Sequence, residues 1–236
     1  MSTFDHAVLL DIEGTIGDVT FVREVLFPYS RERLQQTLFA HWHDPVVAAA
    51  VAQARELSGQ SLDGAVAATE QFLAWLDADQ KITPLKTVQG FIWRVGYAQG
   101  DLKAHLYGDA VEAFQQWRAQ GLRLYIYSSG SVEAQKLYLA HSTAGNVSAY
   151  FDGFFDTTSG PKVEPRSYLT IAESLSLSPL RMVFFSDMKG EISAALRAGL
   201  KAIRIDRTRA ADYQGTDDLG SVTGSFLPFL AKVDNA

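Results

Sequence analysis

The amino-acid sequence predicts an α/β fold, a doubly wound parallel sheet with a helical cap domain inserted after its first strand. Three observations carry this. Short apolar runs ending in charged or hydroxyl residues alternate with helical stretches, as they do in a parallel sheet covered by helices. The first run, Ala7-Val8-Leu9-Leu10, breaks off at Asp11-Ile12-Glu13-Gly14-Thr15, and no second strand pattern appears before Arg123. The stretch between the two carries only helical periodicity.

In chain order, Ala7 to Leu10 reads as a central strand buried on both faces. Amphipathic helices follow over Phe27 to Trp42, Val46 to Leu57, Gly64 to Asp77 and Leu85 to Ala98. They are separated by the breakers Asp44-Pro45, Ser58-Gly59-Gln60, Thr83-Pro84 and Gln99-Gly100-Asp101. Strands return at Arg123 to Tyr127, Met182 to Ser186 and Lys201 to Ile205, with helices over Val132 to His141 and Pro165 to Leu175 between them. The expected organisation is a core of residues 1–18 and 108–236 with a cap of residues 19–107. Such an insert, leaving from the carboxyl end of the first strand, is expected to lie over the site.

Composition narrows the function. With 236 residues, 47% hydrophobic and 20% charged, the chain has the make-up of a soluble globular protein. A net charge of -6 and no basic stripe argue against a nucleic-acid partner. The absence of cysteine excludes disulfides, thiolate zinc sites and thiol nucleophiles. No apolar run approaches the roughly 18 residues of a membrane span. Met1 to His6 has neither the basic nor the apolar region of a secretory leader. The chain is expected to be a cytoplasmic monomer that does not bind membranes.

In open α/β sheets, ligands sit beyond the carboxyl ends of the strands, so Asp11 stands where a working group belongs, with Glu13 beside it. The same pair also reads as a helix cap with a nearby acid. The second strand runs into Ser128-Ser129-Gly130-Ser131, which is either an anion cradle ahead of a helix or a plain N-cap made by Ser129 or Ser131. Met182 to Ser186 ends at Asp187, a metal ligand or a cap. Glu191 follows within reach of the local backbone or an outer-shell water. Lys162 lies in the rigid loop Gly160 to Pro165, where a lysine is ordinarily a solvated charge. His41 and His43, two apart around Trp42, face different ways on a helix and read as a surface helix end.

Taken in order, these segments resemble the four motifs of the haloacid dehalogenase-like phosphohydrolases. Asp-Ile-Glu-Gly-Thr, with Phe21-Val22 and Leu26-Phe27-Pro28-Tyr29 behind it, closely resembles the acireductone-forming enolase-phosphatases of methionine salvage. So do Leu85-Lys86 with Gln89 to Trp93, the run Tyr125 to Leu137, His141-Ser142-Thr143, and Asp152-Gly153 through Lys162-Val163-Glu164 to Ser167-Tyr168. The chain departs from the family at Ile16-Gly17-Asp18 and Met188-Lys189-Gly190, both on the expected metal side.

The resemblance implies Asp11 as nucleophile and one Mg²⁺ held by Asp11, Asp187 and the backbone carbonyl of Glu13. It implies Ser128 and Ser129 as phosphate ligands, Lys162 as the cation balancing Asp11 and phosphate, and Glu13 as the acid and base. The implied substrate is a small phosphorylated metabolite, 2,3-diketo-5-methylthiopentyl-1-phosphate, which is enolised before phosphate is lost. The enolisation base lies between Glu13 and the cap residue Lys86, which also counts among the substrate-binding candidates. A dehalogenase needs neither a metal nor a leaving-group acid, so Glu13 and Asp187 argue against it. A binding protein without catalysis would be expected to have lost Asp11 or Lys162. The alternative is a generic Mg²⁺-dependent phosphatase of the same fold.

Overall fold

The computed structural model describes residues 7–80 and 82–230, so the reading of Met1 to His6 lies outside the described residues. The chain divides into two compact units. One is built from residues up to Phe21 and from Ala104 onward, the other from Val22–Lys103. These divisions differ from the expected 18 and 108. Phe21 packs edge-on against Tyr138 with ring centroids 5.6 Å apart. On the return side, Ala104 N donates to the His141 carbonyl at 2.9 Å and Tyr107 N to the Ile16 carbonyl at 3.0 Å. These contacts assign both connecting segments to the first unit.

That unit is an α/β sheet. Its strands are β1 (Ala7–Leu10), β2 (Arg123–Tyr127), β3 (Gly153–Phe155), β4 (Met182–Ser186), β5 (Lys201–Ile205), β6 (Gln214–Asp217) and β7 (Gly220–Thr223). The spatial order is β3-β2-β1-β4-β5-β7-β6. All neighbours pair in parallel except β6 with β7. Strand order reverses at β1, which pairs with β2 on one side and β4 on the other. The crevice at such a switch point is where α/β sheets bind ligands.

The helices of this unit are α5 (Gly108–Ala119), α6 (Val132–Ala140), α7 (Pro165–Ser174) and α8 (Lys189–Arg197). Ala7 and Leu9 of β1 join Tyr168, Ile171 and Ile192 from α7 and α8 in one core cluster. On the other face Phe185 stacks on Trp117 of α5, with ring centroids 5.6 Å apart. Because β1 is fully buried along its length, it reads as a continuous apolar run rather than an alternating one.

The second unit contains α1 (Phe27–Ala40), α2 (Pro45–Ser58), α3 (Gly64–Asp77) and α4 (Thr83–Gln99). Asp44 caps α2 by accepting from Val46 N at 2.9 Å, with Pro45 in the first turn. Leu34, Leu38, Val47, Val51, Phe72, Val88 and Ile92 form the apolar centre. The first helix stops at Ala40, short of Trp42, because His41 leaves helical backbone angles while its N–H closes on the Thr37 carbonyl. Among the described residues, no helix is long and apolar enough to cross a membrane.

Candidate active site

Asp11 continues the sheet by one hydrogen bond, its N–H donating to the Phe185 carbonyl at 3.0 Å. The chain then turns sharply rather than entering a helix. The N–H groups of Thr15, Ile16 and Gly17 all converge on the Ile12 carbonyl, at 3.2, 3.1 and 2.9 Å. Asp11 is therefore no helix cap. Gly14 takes φ +75°, and a side chain there would also overlap the Asp187 carboxylate, so this turn brings its backbone directly against the end of β4.

Four ionisable groups meet at this edge. Asp11, only 5% exposed, accepts from the Thr15 hydroxyl at 2.9 Å on Oδ2 and from Lys162 Nζ at 2.5 Å on Oδ1. Lys162 also pairs with Glu191 Oε2 at 2.7 Å. Glu191 accepts from the Ser186 hydroxyl at 2.8 Å, and Ser186 in turn accepts from Met188 N at 3.1 Å. Tyr168 fixes the lysine backbone by donating its hydroxyl to the Lys162 carbonyl at 2.7 Å. The Thr15 hydroxyl accepts from Asp187 N at 3.0 Å, so a single side chain links the ends of β1 and β4. Lys162 is thus no solvated charge but is buried, and the geometry answers which group Glu191 holds.

Burial pushes the Lys162 ammonium down, but the charges of Asp11 and Glu191 outweigh it and hold the group above its ordinary value. Glu191 is raised, first by burial and then by Asp11, against the opposing pull of Lys162. The two directions agree physically, because one ammonium is shared between two carboxylates. Asp187 is pushed up to about 7 by burial and by the charges of Asp11 and Glu191. Its Oδ1 is buried and has no hydrogen-bond partner among the described residues. It does not cap α8 either, whose cap position is Met188. An orphaned carboxylate oxygen beside Asp11 is a fit for a divalent cation. Among the described residues, no three His, Asp or Glu side chains form a ready cage, so a cation here relies on two carboxylates plus backbone and ligand oxygens.

Ser128 follows β2 and is buried, its N–H donating to the Phe155 carbonyl at 3.2 Å and its hydroxyl accepting from Gly130 N at 3.3 Å. Capping of α6 falls to Ser131, which accepts from Ala134 N at 3.3 Å, and not to the exposed Ser129. Gln135, unnoticed in the sequence, braces this loop by donating to the Gly130 and Phe155 carbonyls at 2.8 and 2.9 Å. Glu13 sits exposed on the turn after Asp11, its backbone bridged to Gly17. Lys86 lies exposed in the first turn of α4, in the helical unit. His41 packs its ring against Phe91 at 5.0 Å and belongs to that unit's structure. Direct bonds therefore join Asp11, Lys162 and, through Thr15, Asp187. Ser128 and Ser129 follow the adjacent strand, and Lys86 belongs to the other unit.

The chain is similar to known proteins over most of its length. A family described as haloacid dehalogenase-like hydrolase matches residues 6–199. Enolase-phosphatase E1 of Parvibaculum lavamentivorans is 48% identical over 203 residues, covering 86% of each chain. Enolase-phosphatase E1 of Acidiphilium cryptum is 42% identical over 231 residues, 96% of this chain and 97% of that one. Among solved structures, the UTR4 protein of Saccharomyces cerevisiae superposes with a TM-score of 0.73 at 31% identity, covering 86% of this chain and 90% of that chain. The chain is a phosphatase of the haloacid dehalogenase-like hydrolases and belongs to the enolase-phosphatase E1 family.

Proposed function

We propose that Asp11 is the nucleophile of an enolase-phosphatase that turns 2,3-diketo-5-methylthiopentyl-1-phosphate into the acireductone 1,2-dihydroxy-3-keto-5-methylthiopentene and phosphate in methionine salvage. The observation that carries this reading is the buried Asp11 carboxylate, aimed by Thr15 and Lys162 and set one hydroxyl away from the end of β4. Asp11 attacks phosphorus and the bond to the leaving oxygen breaks, leaving an aspartyl phosphate. Glu13 gives its proton to that oxygen, then takes one from the water that hydrolyses the aspartyl phosphate. Lys162 spreads the charge shared by Asp11 and the phosphoryl oxygens, and Ser128 and Ser129 hold those oxygens with hydroxyl and backbone donors. Before this, a proton leaves the carbon beside a carbonyl, to Glu13 or to Lys86.

Enolase-phosphatases of this superfamily are generally metal-dependent, and we propose Mg²⁺ held by Asp11, Asp187 and the Glu13 carbonyl. Bound there, it would neutralise phosphate charge and act as a Lewis acid on the enolate oxygen. Mg²⁺ is expected to raise the melting temperature of the chelator-treated protein, by the equivalent of about 2.7 kcal/mol at a hundredfold excess over Kd. Asp187→Asn should lose that response. A melting curve indifferent to Mg²⁺ in the wild type would reject the site. On the same reading, the unit carrying Asp11 and Asp187 is the catalytic core, the helical unit its cap, and the protein a cytoplasmic monomer.

Product analysis under anaerobic conditions, following enol absorbance and free phosphate separately, tests the reaction. Glu13→Gln is expected to slow phosphate release by about two to four orders of magnitude, the worth of general acid–base catalysis. Both steps fall together if Glu13 is also the enolisation base. Accumulation of phosphorylated enol assigns that base to Lys86 or another cap residue. Wild-type phosphate release from this variant removes Glu13 from the mechanism and leaves a generic phosphatase.

A further inference from the structure

We propose that Arg207 is a positioning residue that clamps the nucleophile's turn and thereby sets the spacing of Asp11 and Asp187. It rests on the roles given to those two carboxylates above. Arg207 follows β5 at the same edge of the sheet. Its Nε and Nη2 both donate to the Thr15 carbonyl, at 3.0 and 2.5 Å. Its Nη1 donates to both carboxylate oxygens of Asp109, at 3.0 and 2.8 Å. The guanidinium lies 4.0 Å from the centroid of the Tyr107 ring and 5.3 Å from that of Phe226. Asp109 is fixed in turn by accepting from Phe226 N at 2.8 Å. Both charged side chains are only 14% exposed, so solvent screens the pair little.

What the clamp holds is Thr15, which is wholly buried. Its carbonyl faces Arg207, while its hydroxyl donates to Asp11 and accepts from Asp187 N. A shift of this one residue therefore moves the hydrogen bond aiming the nucleophile and the bond holding the end of β4 together. Gly14, beside it, gives the turn little stiffness of its own. Only a planar fork can meet a carbonyl with two donors and a carboxylate with a third. A lysine brings the charge without the geometry. Arg207 contacts the catalytic groups only through Thr15, so its effect is on alignment.

The test compares purified Arg207→Ala with the wild type in three measurements. Phosphate release should show kcat lower by about 10- to 100-fold, with KM for the diketo phosphate within about threefold. Calorimetric titration of Mg²⁺ without substrate should show affinity weaker by about 10- to 100-fold. Millimolar guanidinium chloride, but not sodium chloride at equal concentration, should restore part of both. A variant that melts earlier yet keeps wild-type kcat and Mg²⁺ affinity when folded overturns the proposal. If Arg207→Ala does not fold, Arg207→Lys decides instead: reduced kcat and Mg²⁺ affinity support the clamp, and wild-type values overturn it. Failure of the underlying reading is seen separately, as phosphate release that survives Asp11→Asn.

Discussion

Asp11→Asn is expected to lower phosphate release by about four to six orders of magnitude, the scale on which losing a covalent nucleophile acts. The chain should nevertheless fold. Lys162 pairs with two carboxylates, Asp11 and Glu191, and keeps its 2.7 Å contact with Glu191 when Asp11 is neutralised. The charge of Asp11 is one of the causes that raise Asp187, so the substitution relieves repulsion as well as removing a pair. In chelator, the variant should melt at or above the wild-type temperature, and added Mg²⁺ should stabilise it less than it stabilises the wild type. Phosphate release together with calorimetry checks both halves. A phosphoryl group trapped on a residue other than Asp11 would sink the assignment, whatever the melting curves show.

The parts of this molecule legible in the sequence are those in which one physical requirement dominates a short segment. Strands β1, β2 and β4 coincide with apolar runs ended by a charge or a hydroxyl, because they are buried nearly throughout and a polar residue inside would need a partner. Strand β5 keeps Ala202, Ile203 and Ile205 apolar, and its Arg204 is paired with Asp217. Strand β3 is three residues long and only half-buried, too short to set up a pattern. Of the hairpin Gln-Gly-Thr-Asp and Gly-Ser-Val-Thr, β6 is the edge strand and largely exposed, and β7 beside it buries only Val222 and Thr223, too little for an apolar signal. The ends of α1 and α4 shift by a turn fraction because capping bonds, not periodicity, decide where a helix stops.

At the site the same distinction applies. Asp11, Ser128, Lys162 and Asp187 could be singled out because each follows a strand or interrupts a rigid loop. Glu191 was visible as an acid one helical turn beyond Asp187. Its partner was not, because Lys162 reaches it across the fold from the loop before α7. Arg207 was invisible for a related reason. Its acceptor is a main-chain carbonyl, Thr15, and main-chain groups carry no side-chain identity for a sequence to display. Asp109 reads locally as an ordinary first-turn acid of α5.

Lys162→Met is expected to cost both stability and activity, and the two losses can be separated. Lys162 is 6% exposed, with aromatic walls from Tyr127 and Phe184 at 5.7 and 5.9 Å from its ammonium. Removing it leaves Asp11 and Glu191 facing one another without a counter-charge, a change worth about 3–5 kcal/mol when one partner of a buried pair is lost. The pH dependence follows from the sign of the shift. Glu191 is already raised with the lysine present and rises further without it, so folding favours its protonated form. A raised carboxylate stabilises fully below its unfolded value, about 4.3, and loses that contribution as pH climbs through the folded value. The variant should therefore melt highest near pH 4 to 5 and progressively lower toward pH 8. Adding Glu191→Gln removes one of the stranded charges and should return most of the stability at pH 8. It should not return activity, which stays lower by on the order of 10²- to 10³-fold, because no cation then offsets the charge that Asp11 shares with the phosphoryl group. A single variant as stable as the wild type at pH 8 would contradict the buried-pair argument, and a double variant with wild-type turnover would remove Lys162 from the chemistry while leaving its structural role intact.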